Sequence, residues 1–201
     1  EKANGEIIHY SVKEVEVPKG YTVTEERQEK GDLVLTNTHT PSTVDIPVMK
    51  IWADNDNQDG LRPAKITVNL YANGKKVAHK DITSETDWRE TFTGLPEFKD
   101  GKKIVYTLQE ERVENYSPSI DQESYTITNT HTPGKTTLSV TKQWDDQEDK
   151  DGLRPKSVKV QLYADGKKSG EVIELSAENK WTHTFANLDK HVKGKAVTYT
   201  V

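Results

Sequence analysis

The chain has 201 residues and a net charge of −5, from 28 Lys and Arg against 33 Asp and Glu, with both signs mixed along its length. That mixture argues against nucleic-acid binding, which favours a clustered basic face, and no apolar run approaches the ~20 residues of a transmembrane helix, so no membrane insertion is expected. There is no cysteine, which excludes disulfides, thiolate metal sites and cysteine catalysis, and with hydrophobic residues at 32% each core must be small.

The first residues, Glu-Lys-Ala-Asn-Gly-Glu, lack the apolar centre of a signal peptide, and the sequence reads as an excerpt of a longer protein. Successive side chains of a strand point to opposite faces. On that period Ile8, Tyr10, Val12 and Glu14 share one strand face, and Leu33, Leu35 and Asn37 share another. Next come strand-like runs near 45–52, 65–72, 75–82, 87–93, 103–111, 115–120 and 124–130. Asn4-Gly5, Asn73-Gly74, Asp100-Gly101 and Asp165-Gly166 are tight-hairpin signals, because both central residues of a type I′ turn need positive φ. No stretch keeps a helical period. About seven short strands in some 90 residues predict an all-β antiparallel sandwich.

The chain repeats itself. Val48-Met-Lys-Ile-Trp52 returns as Val140-Thr-Lys-Gln-Trp144, so Lys50 and Lys142 stand 92 residues apart (142 − 50). At the same interval Asp59-Gly-Leu-Arg-Pro63 returns as Asp151-Gly-Leu-Arg-Pro155, and Thr36-Asn-Thr-His-Thr-Pro41 returns at 128–133. Trp88 returns as Trp181. Self-similarity at a fixed period marks tandem modules. The expected division is 1–41 as the closing part of one repeat, 42–133 as a complete second repeat and 134–201 as the opening part of a third. Prolines in the short polar joints predict an extended string with limited bending.

Each repeat places polar residues on apolar faces. Val48, Lys50 and Trp52 share a face, as do Val140, Lys142 and Trp144; Ile104, Tyr106, Leu108 and Glu110 share another, and so do Tyr125, Ile127 and Asn129. An unpaired charge is strongly disfavoured on a buried face. One reading makes these residues strand ends turning to solvent, or a buried Lys–Glu ion pair helped by an amide. The other is chemical. Burial disfavours the charged form of either group. A neutral lysine amine is a nucleophile, and a protonated glutamate can polarise the asparagine carboxamide and pass a proton to departing ammonia. The product is an isopeptide bond.

The sequence resembles the B-type repeats of the Gram-positive collagen adhesin family. The resemblance rests on Lys50-Ile-Trp52 with its Asn/Asp-rich loop and Gly-Leu-Arg-Pro, on Leu70-Tyr-Ala-Asn-Gly-Lys75, and on Trp88 through Phe92 to Leu95-Pro96. Tyr106-Thr-Leu-Gln-Glu110 and Ile127-Thr-Asn-Thr130 complete it, so that it covers essentially the whole chain. It implies a prealbumin-like, inverse-immunoglobulin sandwich, a Lys–Asn isopeptide bond promoted by the glutamate, and a stalk on a cell-wall-anchored surface protein. By position, Lys50, Glu110 and Asn129 form the set of the second repeat. Glu14 and Asn37 belong to the preceding one, and Lys142 to the following one.

No cofactor or metal is implied. Asp54-Asn-Asp-Asn-Gln-Asp-Gly60 has the look of a calcium loop, but counted from Asn55 its twelfth position is Ile66 where a bidentate Glu is required, and it reads as a solvated acidic turn. The histidines show no zinc spacing. No constellation for enzymatic turnover appears beyond the self-modifying one. The alternative function is a binding module whose loops recognise a host protein or glycan. The expected partners are neighbouring repeats of the same chain. Head-to-tail complementation is a further expectation, with Lys142 of one chain near Glu14 and Asn37 of the next.

Overall fold

The computed structural model describes residues 2, 3 and 5–201. Among them it is built from strands, with one 3-10 turn at Ser84–Thr86 and no α-helix. The chain forms two compact units, one of residues 1–45 with 93–105, the other of residues 46–92 with 106–201.

In the first unit β1 (Thr22–Arg27) pairs antiparallel with β2 (Leu33–Thr38), setting Val23 opposite Asn37 and Glu25 opposite Leu35. The strand expected over Ile8–Glu14 is not formed. Only Glu6–Ile7 is extended, pairing with Lys2–Ala3, and residues 8–14 run irregularly with Tyr10 and Val12 exposed. Alternation names a face, but a strand also needs a neighbour to complete its ladder, and among the described residues no strand runs alongside 8–14. Asn4 of the expected first turn lies outside the described residues. Residues 93–105 contribute a small hairpin, Phe98–Lys99 against Lys102–Lys103, around Asp100 and Gly101 at φ 50° and 73°.

The second unit holds the sandwich. Its strands are β3 (Thr43–Ala53, entering the unit at Ile46), β4 (Lys65–Ala72), β5 (Lys75–Thr83), β6 (Arg89–Pro96, leaving the unit after Phe92), β7 (Tyr106–Glu110), β8 (Ser117–Asp121) and β9 (Thr126–Thr130). One sheet runs β7-β4-β5, the other β8-β9-β3-β6. The β4–β5 hairpin turns on Asn73 and Gly74, at φ 48° and 80°, as the Asn-Gly pair predicts. Ile46 and Val48 of β3, Ile66, Val68 and Leu70 of β4, Tyr106 and Leu108 of β7 and Ile127 of β9 are buried. These are the apolar positions of the alternating pattern, and they form the core between the sheets. The first and last strands, β3 and β9, pair in parallel, with Ile127 opposite Lys50 and Asn129 opposite Trp52.

The third repeat lies in the same unit. Here β10 (Lys135–Thr141) pairs with β13 (Thr182–Asp189), and β11 (Ser157–Ala164) pairs with β12 (Lys167–Ser176) and with Tyr199–Thr200. Leu162 and Leu175 are its buried hydrophobic residues, against ten in the second repeat. The strand predicted to run through Trp144 stops at Thr141. Its counterpart β3 continues to Ala53 because β9 pairs with it over Met49–Ala53, and no strand takes that place beside β10.

Candidate functional site

The parallel register of β3 and β9 places Lys50 and Asn129 on the inward faces of adjacent strands, two positions apart along the ladder. Glu110, opposite Val68 on β4, comes from the facing sheet. Lys50 Nζ lies 3.1 Å from Glu110 Oε1, with the two side chains 0% and 2% exposed. Asn129 is fully buried. Burial pushes the Lys50 pKa down to about 8, against the opposing pull of Glu110. Lys50 Nζ, Glu110 Oε1 and both polar atoms of the Asn129 carboxamide are buried without an aligned hydrogen-bond partner. Native structures leave only a few such groups per hundred residues unsatisfied, and four of the ten such atoms among the described residues gather in this one cluster.

An aromatic wall closes the cluster. Lys50 Nζ stands 4.5 Å from the centre of the Trp52 ring, which meets Trp88 and Tyr116 edge-on at 5.0 and 4.9 Å. The Arg62 guanidinium lies 5.4 Å from the same ring. Arg62 is held by Asp54, to which it donates from Nε at 3.1 Å and Nη2 at 2.7 Å, while the Tyr116 hydroxyl donates to Asp54 at 2.8 Å. Burial works to raise the Asp54 pKa, but the hydrogen bonds from Arg62, the Asn57 N–H and Tyr116 outweigh it and hold the carboxyl below its usual range. The strand carrying Glu110 is secured separately. Gln122 accepts from the Leu108 N–H at 2.8 Å and donates to the Leu108 carbonyl at 2.9 Å, so one side-chain amide occupies the open edge of β7.

The loop after Trp52 differs from its sequence reading as a solvated turn. Asp54 is buried and its carboxylate accepts from the Asn57 N–H at 3.0 Å, while Asn55, Asp56 and Asn57 take left-handed φ of 52°, 56° and 56°. Asn and Asp tolerate that conformation best of the non-glycine residues. The loop is therefore a folded bracket for Arg62. No group of three metal-ligating side chains occurs among the described residues. Spacing alone did not reveal Asp54, Arg62, Tyr116 or Gln122; the one available signal was that Asp54 and Arg62 recur together as Asp146 and Arg154.

The other copies are partial. In the first unit Asn37 Nδ2 donates to Glu14 Oε1 at 3.0 Å, so these two residues meet, on a surface where Asn37 is exposed. Glu14 also borders a cavity of about 300 Å³, lined with it by Val12, Lys13, Val23, Glu25 and Leu35. In the third repeat Lys142 is exposed and lies beyond the end of β10, yet its Nζ keeps a place 4.4 Å from the centre of the Trp144 ring. The Arg154 guanidinium is 5.5 Å from that ring and bonds Asp146 at 3.0 and 2.5 Å.

A β-sandwich with a lysine and an asparagine on adjacent strands of one sheet and a glutamate from the other, flanked by partial copies of the same sequence repeat, marks a tandem β-module. The chain belongs to the Cna protein B-type domain family, whose model matches residues 1–38, 46–130 and 138–201. It is 48% identical over all 201 residues to a collagen adhesin of Staphylococcus aureus, of which it spans 17% of the length. It is also similar to the crystal structure of two B repeat units of the collagen binding protein of that organism, with 47% identity and a TM-score of 0.60 over 99% of this chain and 53% of the other.

Proposed function

We propose that the chain is a length of stalk from an extracellular, cell-wall-anchored adhesin, built of modules at 1–41, 42–133 and 134–201 and stiffened by self-formed isopeptide bonds. The observation that supports this most is the sealed cluster of Lys50, Glu110 and Asn129, whose polar atoms lack aligned hydrogen bonds. In the reaction a proton passes from Lys50 Nζ to Glu110, leaving an amine and a carboxyl group. Nζ attacks Asn129 Cγ while Glu110 donates to the carboxamide oxygen. The Nζ–Cγ bond forms, the Cγ–Nδ2 bond breaks, and Nδ2 leaves as ammonia with the proton that Glu110 relays. Trp52 and the apolar core exclude water that would otherwise compete. Glu14 with Asn37, and Lys142, are assigned to equivalent bonds of the flanking modules.

Such a bond would join the first strand of the module to the last. A pull applied between the module's ends would then pass through one covalent link between β3 and β9, sparing β4 to β8. Intact mass spectrometry is the test. One cross-link lowers the mass by one ammonia, about 17 Da, because amide formation from the carboxamide expels it. Lys50→Ala and Glu110→Ala are expected to restore the full mass. An unshifted mass in the parent chain would sink the proposal.

A further inference from the structure

The loop that brackets Arg62 at one end meets the third repeat at the other. The Asp59 Oδ2 atom accepts from His131 Nε2 at 2.9 Å and from the Gly134 N–H at 2.9 Å, and Oδ1 lies 3.4 Å from His191 Nδ1. Beside it Gln58 Nε2 donates to Asp189 Oδ1 at 2.8 Å, and the Gln58 carbonyl accepts from the Gly194 N–H at 2.9 Å. Gly60 packs so closely on Gly194 that a Cβ built on Gly60 would stand 2.6 Å from the Gly194 Cα. His191 and Gly194 both belong to a small hairpin, His191–Val192 against Lys195–Ala196. None of these groups takes part in the Lys50 cluster.

We propose that the Asp59–Gly60 edge of the second repeat is a docking surface for the hairpin of the module that follows it, fitting a glycine at the hairpin turn and an imidazole at the hairpin's first residue. The glycine requirement is steric. The imidazole requirement is specific to this joint: Trp88 and Trp181 stand 93 apart (181 − 88), and at that offset the second repeat's own hairpin has Gly101 for Gly194 but Phe98 for His191. A hairpin bearing Phe98 offers no partner to a buried carboxylate. Modules sharing this fold are therefore not interchangeable in order.

The same geometry makes the joint respond to pH. His131 faces two acceptors, the Asn115 carbonyl 2.9 Å from Nδ1 and Asp59 2.9 Å from Nε2. A neutral imidazole carries one N–H and satisfies one of them; the imidazolium satisfies both. The other charged groups nearby are Asp54, paired with Arg62, Asp189, paired with Lys135, and Lys190, whose stem lies against Gly134. The hydrogen bond to Asp59 raises the His131 pKa, with burial opposing and the Asn115 carbonyl adding to it. For Asp59 burial acts to raise the pKa, but the bonds from His131 and the Gly134 N–H, with the His191 ring close to Oδ1 though not aligned for a hydrogen bond, outweigh it and lower it. A raised histidine pKa gives a contribution present in mild acid and lost as pH rises through that pKa. A lowered carboxyl pKa gives one lost as pH falls through it. The joint is tightest between the two.

The test uses the whole chain, spin-labelled once in the second repeat and once in the third, with the inter-label distance distribution read by pulsed EPR and the histidines titrated by NMR. Gly60→Ala is compared with Gly152→Ala. Both glycines are left-handed, at φ +71° and +66°, but Gly152 has nothing within 4 Å of a built Cβ, so backbone strain cancels between them. Gly60→Ala is expected to broaden the distribution at least twofold, Gly152→Ala to leave it unchanged, and His191→Phe to broaden it with amide spectra of both repeats retained. His131 is expected to titrate above its ordinary 6.5 in the parent chain and to fall back in Asp59→Asn. An unchanged distribution in Gly60→Ala, or a His131 pKa at or below 6.5 in the parent chain, would overturn the proposal.

Discussion

The second and third repeats build the same lysine–tryptophan–arginine–aspartate stack and place it in opposite environments. Lys50 and Lys142 stand 4.5 and 4.4 Å from their Trp ring centres, and Arg62 and Arg154 stand 5.4 and 5.5 Å from the same rings. Yet Lys50 is buried beside Glu110, and Lys142 is exposed. The stack is thus a local product of one strand and the loop after it. Burial of the lysine is not local. It needs β9 alongside and β7 across, with residues drawn from 56 positions or more down the chain. What distinguishes a buried lysine from a surface one here is the arrival of the closing strands, since its near neighbours are the same in both copies.

That comparison can be broken or sharpened. The largest expected effect is at the lysines themselves. A cross-link closing the 79-residue loop from Lys50 to Asn129 (129 − 50) contributes about 4–5 kcal/mol by the loop-entropy account. Lys50→Ala should therefore lower the Tm of the second repeat by about 20 °C or more, whereas Lys142→Ala should leave the melting curve of the chain unmoved in calorimetry. Next is the bracket. Asp54→Ala strands Arg62 and the Tyr116 hydroxyl and should cost about 2–3 kcal/mol in urea unfolding. Asp146→Ala, in the solvated copy, should shift the midpoint far less. Acid provides a third contrast. The folded Asp54 pKa lies below its ordinary 3.8, so its contribution is full above that value and is lost as pH falls through the folded pKa. Asp54→Asn should flatten the parent chain's loss of stability below about pH 4, measured by urea midpoints across the range. The smallest effect is at Gln122. Removing its amide frees one N–H and one carbonyl of Leu108 and should cost about 1 kcal/mol. The 17 Da deficit expected of amide formation should persist in Gln122→Ala, by mass spectrometry, if β7 still delivers Glu110.

Much of the sandwich was legible from alternation. The runs 65–72 and 75–82 coincide closely with β4 and β5, and Asn73-Gly74 turns as its chemistry demands. Lys50, Glu110 and Asn129 were legible as polar residues at apolar positions, because period-two patterning reports which face a side chain takes. Two strands were over-read, at Ile8–Glu14 and through Trp144, since periodicity is silent about whether a neighbouring strand completes the ladder. The loop residues were misread for a related reason. Asp54 and Asp59 sit in an acidic run that composition assigns to solvent, and they are buried by Tyr116, His131 and His191, which arrive from far along the chain.

The parallel pairing of β3 with β9 also bears on the order of events when the chain is made. Synthesis delivers β3 near the start of the module and β9 at its end, and the two are immediate neighbours in one sheet. Hairpins such as β4–β5 can close as soon as they emerge, but the sheet holding Lys50 stays incomplete until residue 130 is available. Contacts this distant in sequence form late and slowly. Lys50 can therefore meet Glu110 and Asn129 only in a finished module, so that the proposed covalent closure would record correct folding.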